Sequence, residues 1–168
     1  MTRRALCAID VEIADAKWKK ISAPVLARMK RAVLRALQHE KASGTLTILL
    51  AGDARLKALN SRFRAKNKAT NVLSFPAADG AGGYLGDIAI AYGVLAREAR
   101  ESGKRFADHL AHLAVHGVLH LLGHDHEKPS EAARMEGLER EILAEFGIAD
   151  PYAVKRIPAR RKAVKRHV

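Results

Sequence analysis

Residues 106–122 form an apolar run broken almost only by histidines and a single glycine, with Asp108 its one charged residue. A stretch this long and apolar reads as a helix buried inside a domain, and the rest of the chain has to pack round it. His109, His112, His116 and His120 recur at spacings of three and four, which places them on one face of that helix. His116 and His120 are four residues apart, so their imidazoles stack about 40° and ~6 Å from one another.

Six of the eight histidines lie between His109 and His126. A lone histidine on an apolar helix face is usually a hydrogen-bonded core residue. Three of them, His116, His120 and His126, spaced around Gly123, ask for more than that. His126 cannot join the pair if the helix simply continues. Gly123 tolerates a positive φ, ends the helix and lets the chain turn back, so that His126 can close a third corner. Uncharged imidazoles in apolar surroundings need partners, and one cation satisfies several together. Two ligands on a helix, a glycine turn and a third ligand describe a metal site with an open position, as hydrolytic zinc needs. Nickel and other late divalent ions suit the same donors. His109 and His112 read as hydrogen-bonding histidines supporting the site.

At 168 residues the chain is long enough for one domain with a real core. The expected division is a single domain over residues 1–154 and a basic, disordered tail over 155–168. The net charge of +12 asks for a polyanionic partner. Seven of the positive charges fall in the tail, which contains no acid. Such a tail is either merely solvated or holds nucleic acid without sequence preference. Cys7 is the only cysteine, so internal disulfides and zinc–thiolate clusters are excluded, which fits a reducing compartment. In its expected strand, Cys7 reads as a small buried hydrophobe. The apolar patch after Arg3 and Arg4 is too short for a signal sequence, and no run is long enough to span a membrane. The expected location is the cytoplasm.

Patterning places strands at residues 6–13, 45–50, 72–75 and 85–91, the third stopped by Pro76. Helices are expected at 24–40, after Ser22 as a possible N-cap, and at 53–62, capped by Asp53. Further helices are expected at 92–102, 106–122 and 130–146, the last starting around Ser130 and Glu131. Residues 64–71 form a polar, basic loop, and 77–83 a glycine-rich one. The order suggests an α+β domain with a small mixed four-stranded sheet covered by helices.

The spacing His-x-x-x-His-x-x-Gly-x-x-His is that of the metzincin proteases, which carry a glutamate directly after the first histidine as general base. Here that position is Gly117, which cannot move a proton. The zinc geometry survives and the proteolytic chemistry does not follow. The stretch His116-Gly117-Val118-Leu119-His120-Leu121-Leu122-Gly123-His124-Asp125-His126 instead resembles the signature of the bacterial rRNA maturation endoribonucleases of the YbeY type. Upstream, Leu59-Asn60-Ser61-Arg62-Phe63-Arg64-Ala65-Lys66, then Thr70-Asn71-Val72-Leu73-Ser74-Phe75-Pro76, is similar to that family's second block, and Leu85-Gly86-Asp87-Ile88 to its third. The resemblance covers about residues 45–145. It implies a zincin-like α+β fold and a zinc-dependent, single-strand-directed endoribonuclease of rRNA processing, acting at the 3′ end of the 16S rRNA in ribosome biogenesis. The implied partners are rRNA and the small ribosomal subunit. Carried over with it are Arg64 as catalytic residue and His116, His120 and His126 as ligands of one Zn²⁺.

The chain departs from the family at His124, where a tyrosine is common. This imidazole could donate a proton, compete as a ligand, or replace the phenol as a hydrogen-bonding group, and the last is preferred. Asp125 could orient a ligand histidine. Asp87 reads either as a carboxylate supporting the metal or as a turn residue at a strand end. Lys66 and Lys68 would steer backbone phosphates or form an ordinary solvated charge run. Two other functions compete with the nuclease: a ribosome-bound assembly factor with a structural metal, and a peptidase, which Gly117 argues against.

Overall fold

A computed structural model describes residues 6–78 and 82–153 of the chain. Four strands, β1 (Cys7–Ile13), β2 (Gly44–Ala51), β3 (Val72–Pro76) and β4 (Tyr84–Ala91), form one sheet in the order β1-β2-β4-β3. The β1–β2 and β2–β4 pairs are parallel and β3 runs antiparallel to β4, so the sheet is mixed, as expected. Pro76 does not stop β3; it is its last residue, opposite Gly86. Because β3 is an edge strand, the missing N–H costs the ladder nothing.

Among the described residues five α-helices complete the fold: α1 (Ala23–His39), α2 (Asp53–Arg64), α3 (Tyr92–Ser102), α4 (Phe106–Leu121) and α5 (Pro129–Ala144). Alternation divides the sheet into two faces. Leu46, Ile48 and Leu50 of β2, with Ile88 and Ile90 of β4, face the large core shared with α1 and α4. Ala51, Ala89, Ala91 and Leu73 face the other way, towards Leu56 of α2. In α1, Met29, Ala32, Val33, Ala36 and Leu37 are buried at the spacing of a single helical stripe. In α4, ten residues are buried around the helix, which packs against α1, α3, α5, β3 and β4. The His-bearing helix is thus the centre of the molecule.

The caps differ from expectation in instructive ways. Asp53 is the first residue of α2, not its cap; Gly52 holds that position. The Asp53 carboxylate accepts the backbone N–H of Val94 in the first turn of α3 and pairs with Arg97. It therefore caps a neighbouring helix. Ser22 occupies the N-cap of α1 without a side-chain hydrogen bond. The last helix begins at Pro129, where the missing N–H of a proline is harmless, and not at Ser130. Cys7 is half-buried, its Sγ 3.6 Å from the Ala42 carbonyl.

No local pattern marks Trp18. It lies in a 3-10 turn (Ala16–Lys20), fully buried, donating to the Ala51 carbonyl at 2.8 Å and packing edge-on against Tyr92. The segment 155–168 lies outside the described residues.

Candidate metal centre

The end of α4 builds the site. Gly123 has φ +96°, its N–H donates to the His120 carbonyl, and the N–H of His124 donates to the Leu119 carbonyl. These two bonds form a Schellman motif, which closes the helix and reverses the chain. The reversal returns His126 to the histidines it follows. Ring centroids lie 4.6 Å apart for His116–His120, 5.0 Å for His120–His126 and 5.7 Å for His116–His126. One ring nitrogen from each of the three lies within 4.8 Å of the others, so the group could hold a metal ion.

Hydrogen bonding fixes which nitrogens are free. His116 Nδ1 lies 2.6 Å from Glu139 Oε1, and His120 Nδ1 lies 2.9 Å from the His124 carbonyl. An ionised carboxylate and a carbonyl only accept, so both Nδ1 atoms carry the proton and both Nε2 atoms present a bare lone pair. Those two Nε2 atoms face one another at 3.1 Å. Two lone pairs at that distance repel unless a proton or a cation lies between them. Burial, then the neighbouring His116 and His126, hold the His120 pKa below its ordinary value, which disfavours the proton. A tetrahedral ion with bonds of about 2.0–2.1 Å holds its nitrogens roughly 3.3 Å apart, so the donor set fits zinc.

Glu139 was missed in the sequence. It is 0% exposed on α5 and also accepts from His112 Nε2 at 3.0 Å and from the Tyr152 hydroxyl. Burial alone would raise its pKa, but the bonds from His112, His116 and Tyr152 outweigh that and hold it at about 2. The signal was present: Met135, Glu139 and Ile142 follow one another along the buried side of α5, and a carboxylate on an apolar stripe requires buried partners. His112, His116 and Glu139 also lie close enough to hold an ion. Their hydrogen-bond distances and the committed protons instead make the carboxylate the support of His116, as carboxylates support metal-bound histidines generally.

The remaining candidates divide clearly. His109 donates to Glu98 at 2.7 Å and has no contact with the trio, and burial lowers its pKa. His124 turns away and donates to Glu40 at 3.0 Å, the hydrogen-bonding alternative. Asp125 accepts the backbone N–H of His126 at 2.7 Å, shaping the turn, and its charge acts on the nearby His120. Asp87 is neither of the two things expected. It sits mid-strand on the sheet face opposite α4 and accepts from Tyr84 at 2.5 Å. There it lines a cavity of about 560 Å³ with Leu59, Phe63 and Phe75, away from the histidines. The cleft at the histidines is smaller, about 290 Å³, lined by His116, His126, Met135, Glu136, Glu139 and Tyr152.

Arg64 is the last residue of α2, not part of the loop. Its Nη2 donates to the Ser74 carbonyl at 3.1 Å, and the Ser74 hydroxyl donates to the Gly117 carbonyl at 2.9 Å. Arg64 is thus tied to α4 through β3 and makes no direct bond to the trio. Lys66 and Lys68 are exposed, and the loop is pinned where buried Asn60 donates to the Lys68 carbonyl. Gly117 faces the sheet: a Cβ there would lie 2.9 Å from Ile88 Cγ2. No glutamate fits at the position where metzincins carry their base.

Comparison with known proteins places this arrangement. The family described as Endoribonuclease YbeY matches residues 10–147. The chain belongs to the endoribonuclease YbeY family. It is similar to Endoribonuclease YbeY of Chelativorans sp. (strain BNC1), 47% identical over 86% of this chain and 93% of that protein. Endoribonuclease YbeY of Rhodopseudomonas palustris (strain BisB18) is 46% identical over 91% of this chain and 96% of that one. The solution structure of TM1509 from Thermotoga maritima has the same fold, with a TM-score of 0.56 and 23% identity over 87% of this chain and 99% of that chain.

Proposed function

We propose that the chain is a zinc-dependent, single-strand-directed endoribonuclease that matures rRNA at the 3′ end of the 16S molecule, acting on the small ribosomal subunit in the cytoplasm. Family membership supports the reaction class, and the two opposed, unprotonated Nε2 atoms carry the metal reading. His116, His120 and His126 hold the ion. Zinc bound there supplies a Lewis acid for phosphoryl oxygen and a water of lowered pKa. Three neutral imidazoles leave its full charge uncompensated, which suits an anionic substrate.

Arg64 supplies a planar guanidinium to phosphate oxygens as charge builds on them. Its bond to a strand carbonyl uses one N–H and leaves the rest of the fork for substrate. Lys66, Lys68 and the tail attract the RNA backbone without reading bases. In this reading residues 1–154 form one catalytic domain. Among the described residues no helix is long and apolar enough to cross a membrane.

A single-stranded RNA and a peptide are incubated with the protein before and after chelation. The expected result is RNA cleavage that chelator abolishes and zinc restores, with the peptide intact. RNA binding without cleavage would favour an assembly factor, and cleavage indifferent to chelator would remove the metal from the chemistry.

A further inference from the structure

We infer that Glu139, held in place by Tyr152, is a positioning residue that fixes the tautomer of His116 and so makes it competent to bind a metal. The inference rests on the metal reading above and adds residues to it from two elements that the histidine signature does not contain. Glu139 comes from α5 and Tyr152 from the segment that follows it.

The geometry divides the work between the two carboxylate oxygens. Oε1 takes the His116 Nδ1–H at 2.6 Å, while Oε2 takes His112 at 3.0 Å and the Tyr152 hydroxyl. Three donors surround a carboxylate with no exposed surface, so its rotamer is over-determined. Tyr152 also sets its ring edge-on to His112, with centroids 5.6 Å apart. The segment after α5 is thereby fastened to the side of α4 that carries the site, and Tyr152 lines the same cleft as His116 and His126.

The consequence for His116 is directional. With an acceptor-only group at Nδ1, the ring proton stays there and Nε2 points its lone pair at His120. Glu139→Gln changes little in shape but replaces one acceptor by an NH₂. If the remaining oxygen stays with His112 and Tyr152, two donors against one, the NH₂ faces His116 Nδ1. The proton then moves to Nε2, into the metal's place.

The test uses the full-length protein, stripped of metal and then titrated with zinc against a chromophoric chelator, with imidazole tautomers read by long-range ¹H–¹⁵N correlation. The wild type is expected to show His116 as the Nδ1–H tautomer while metal-free, and to bind zinc. Glu139→Gln is expected to shift His116 towards Nε2–H and to weaken zinc affinity by roughly 10–100-fold, with an intact circular dichroism spectrum. Tyr152→Phe keeps the carboxylate and removes one donor, so it should keep the tautomer and lose a factor of roughly 2–10 in zinc affinity. A wild-type His116 carrying its proton on Nε2 overturns the inference whether or not any variant folds. So does a folded Glu139→Gln variant with unchanged zinc affinity. A wild type that binds no zinc overturns the metal centre itself, a different result from either.

Discussion

Gly117→Glu would give this chain the His-Glu-x-x-His spacing of a zinc peptidase, and it is expected to give an unstable protein and no peptidase. The reason is direction. Gly117 lies against the sheet, where an added Cβ meets Ile88 Cγ2 at 2.9 Å and Cδ1 at 3.2 Å. On a free helix face, replacing glycine with alanine or glutamate stabilises by roughly 0.5–1 kcal/mol. Here overpacking costs about 1–3 kcal/mol. A buried carboxyl without a partner costs a further ~1–3 kcal/mol even when protonated. After subtracting the helix gain, Gly117→Glu should destabilise by about 1–5 kcal/mol, or roughly 2–20 °C in Tm for a domain of this size. Gly117→Ala, with the clash but no buried carboxyl, should fall within about 2 kcal/mol of wild type. Urea unfolding of metal-free protein followed by circular dichroism measures all three. A Gly117→Glu variant as stable as wild type, or one that cleaves peptides, would refute the placement of Gly117 against β4.

Three further outcomes follow from the site and its surroundings. Arg64→Ala should cut RNA cleavage at saturating substrate by on the order of 100-fold, about 3 kcal/mol of transition-state stabilisation, while metal content stays unchanged. Arg64→Lys should recover only part, since an ammonium lacks the planar fork; full activity in the alanine variant would move the role elsewhere. Truncation after Val154 should raise the apparent RNA Kd and flatten its salt dependence by roughly 0.7 in log–log slope per lost contact to a single strand, with the cut position unchanged. Altered cut sites would make the tail part of recognition. His109, whose pKa burial lowers from 6.5, stays neutral in the fold while the unfolded chain takes up a proton. Its contribution is complete above about pH 6.5 and is lost as pH falls from there towards the lowered folded pKa. Denaturant unfolding in the presence of chelator should show that decline, and His109→Gln should flatten it; an unchanged slope would assign the decline to other groups.

Much of the fold was legible because its signals are local. The stripe in α1, the alternation in β2 and β4 and the glycine after α4 each declare themselves within a few residues, and the Schellman bonds at Gly123 form where the spacing placed them. What escaped depends on residues distant in sequence. Asp53 looked like a cap for the helix it begins, and serves α3 because strand β4 ends beside it. Trp18 fills a gap among Ala51, Tyr92 and Phe106, which only tertiary structure brings together. The face of β4 that Asp87 occupies is set by the register of the sheet, and one residue of alternation from Ile88 sends it away from α4. Within the candidate site, the three histidines could be found from spacing. Glu139 was marked only as a carboxylate on the buried stripe of α5; its partners, and Tyr152, could not be found, since the two residues lie 23 and 36 positions beyond His116 and meet it only through the packing of α5 and the segment after it. Arg64 is singled out by resemblance alone; its tie to α4 runs through a serine of β3 that no local pattern marks.

The most direct measurement is the metal content of purified protein by elemental analysis, wild type beside His120→Ala. His120 contributes one of the two opposed Nε2 atoms, 3.1 Å from its neighbour. Its loss would leave two of the three proposed ligands, too few for a stable zinc site. The expected result is close to one zinc per wild-type chain and almost none in the variant. Little metal in the wild type, or an undiminished content after His120→Ala, would contradict the assignment of His116, His120 and His126 as the metal centre.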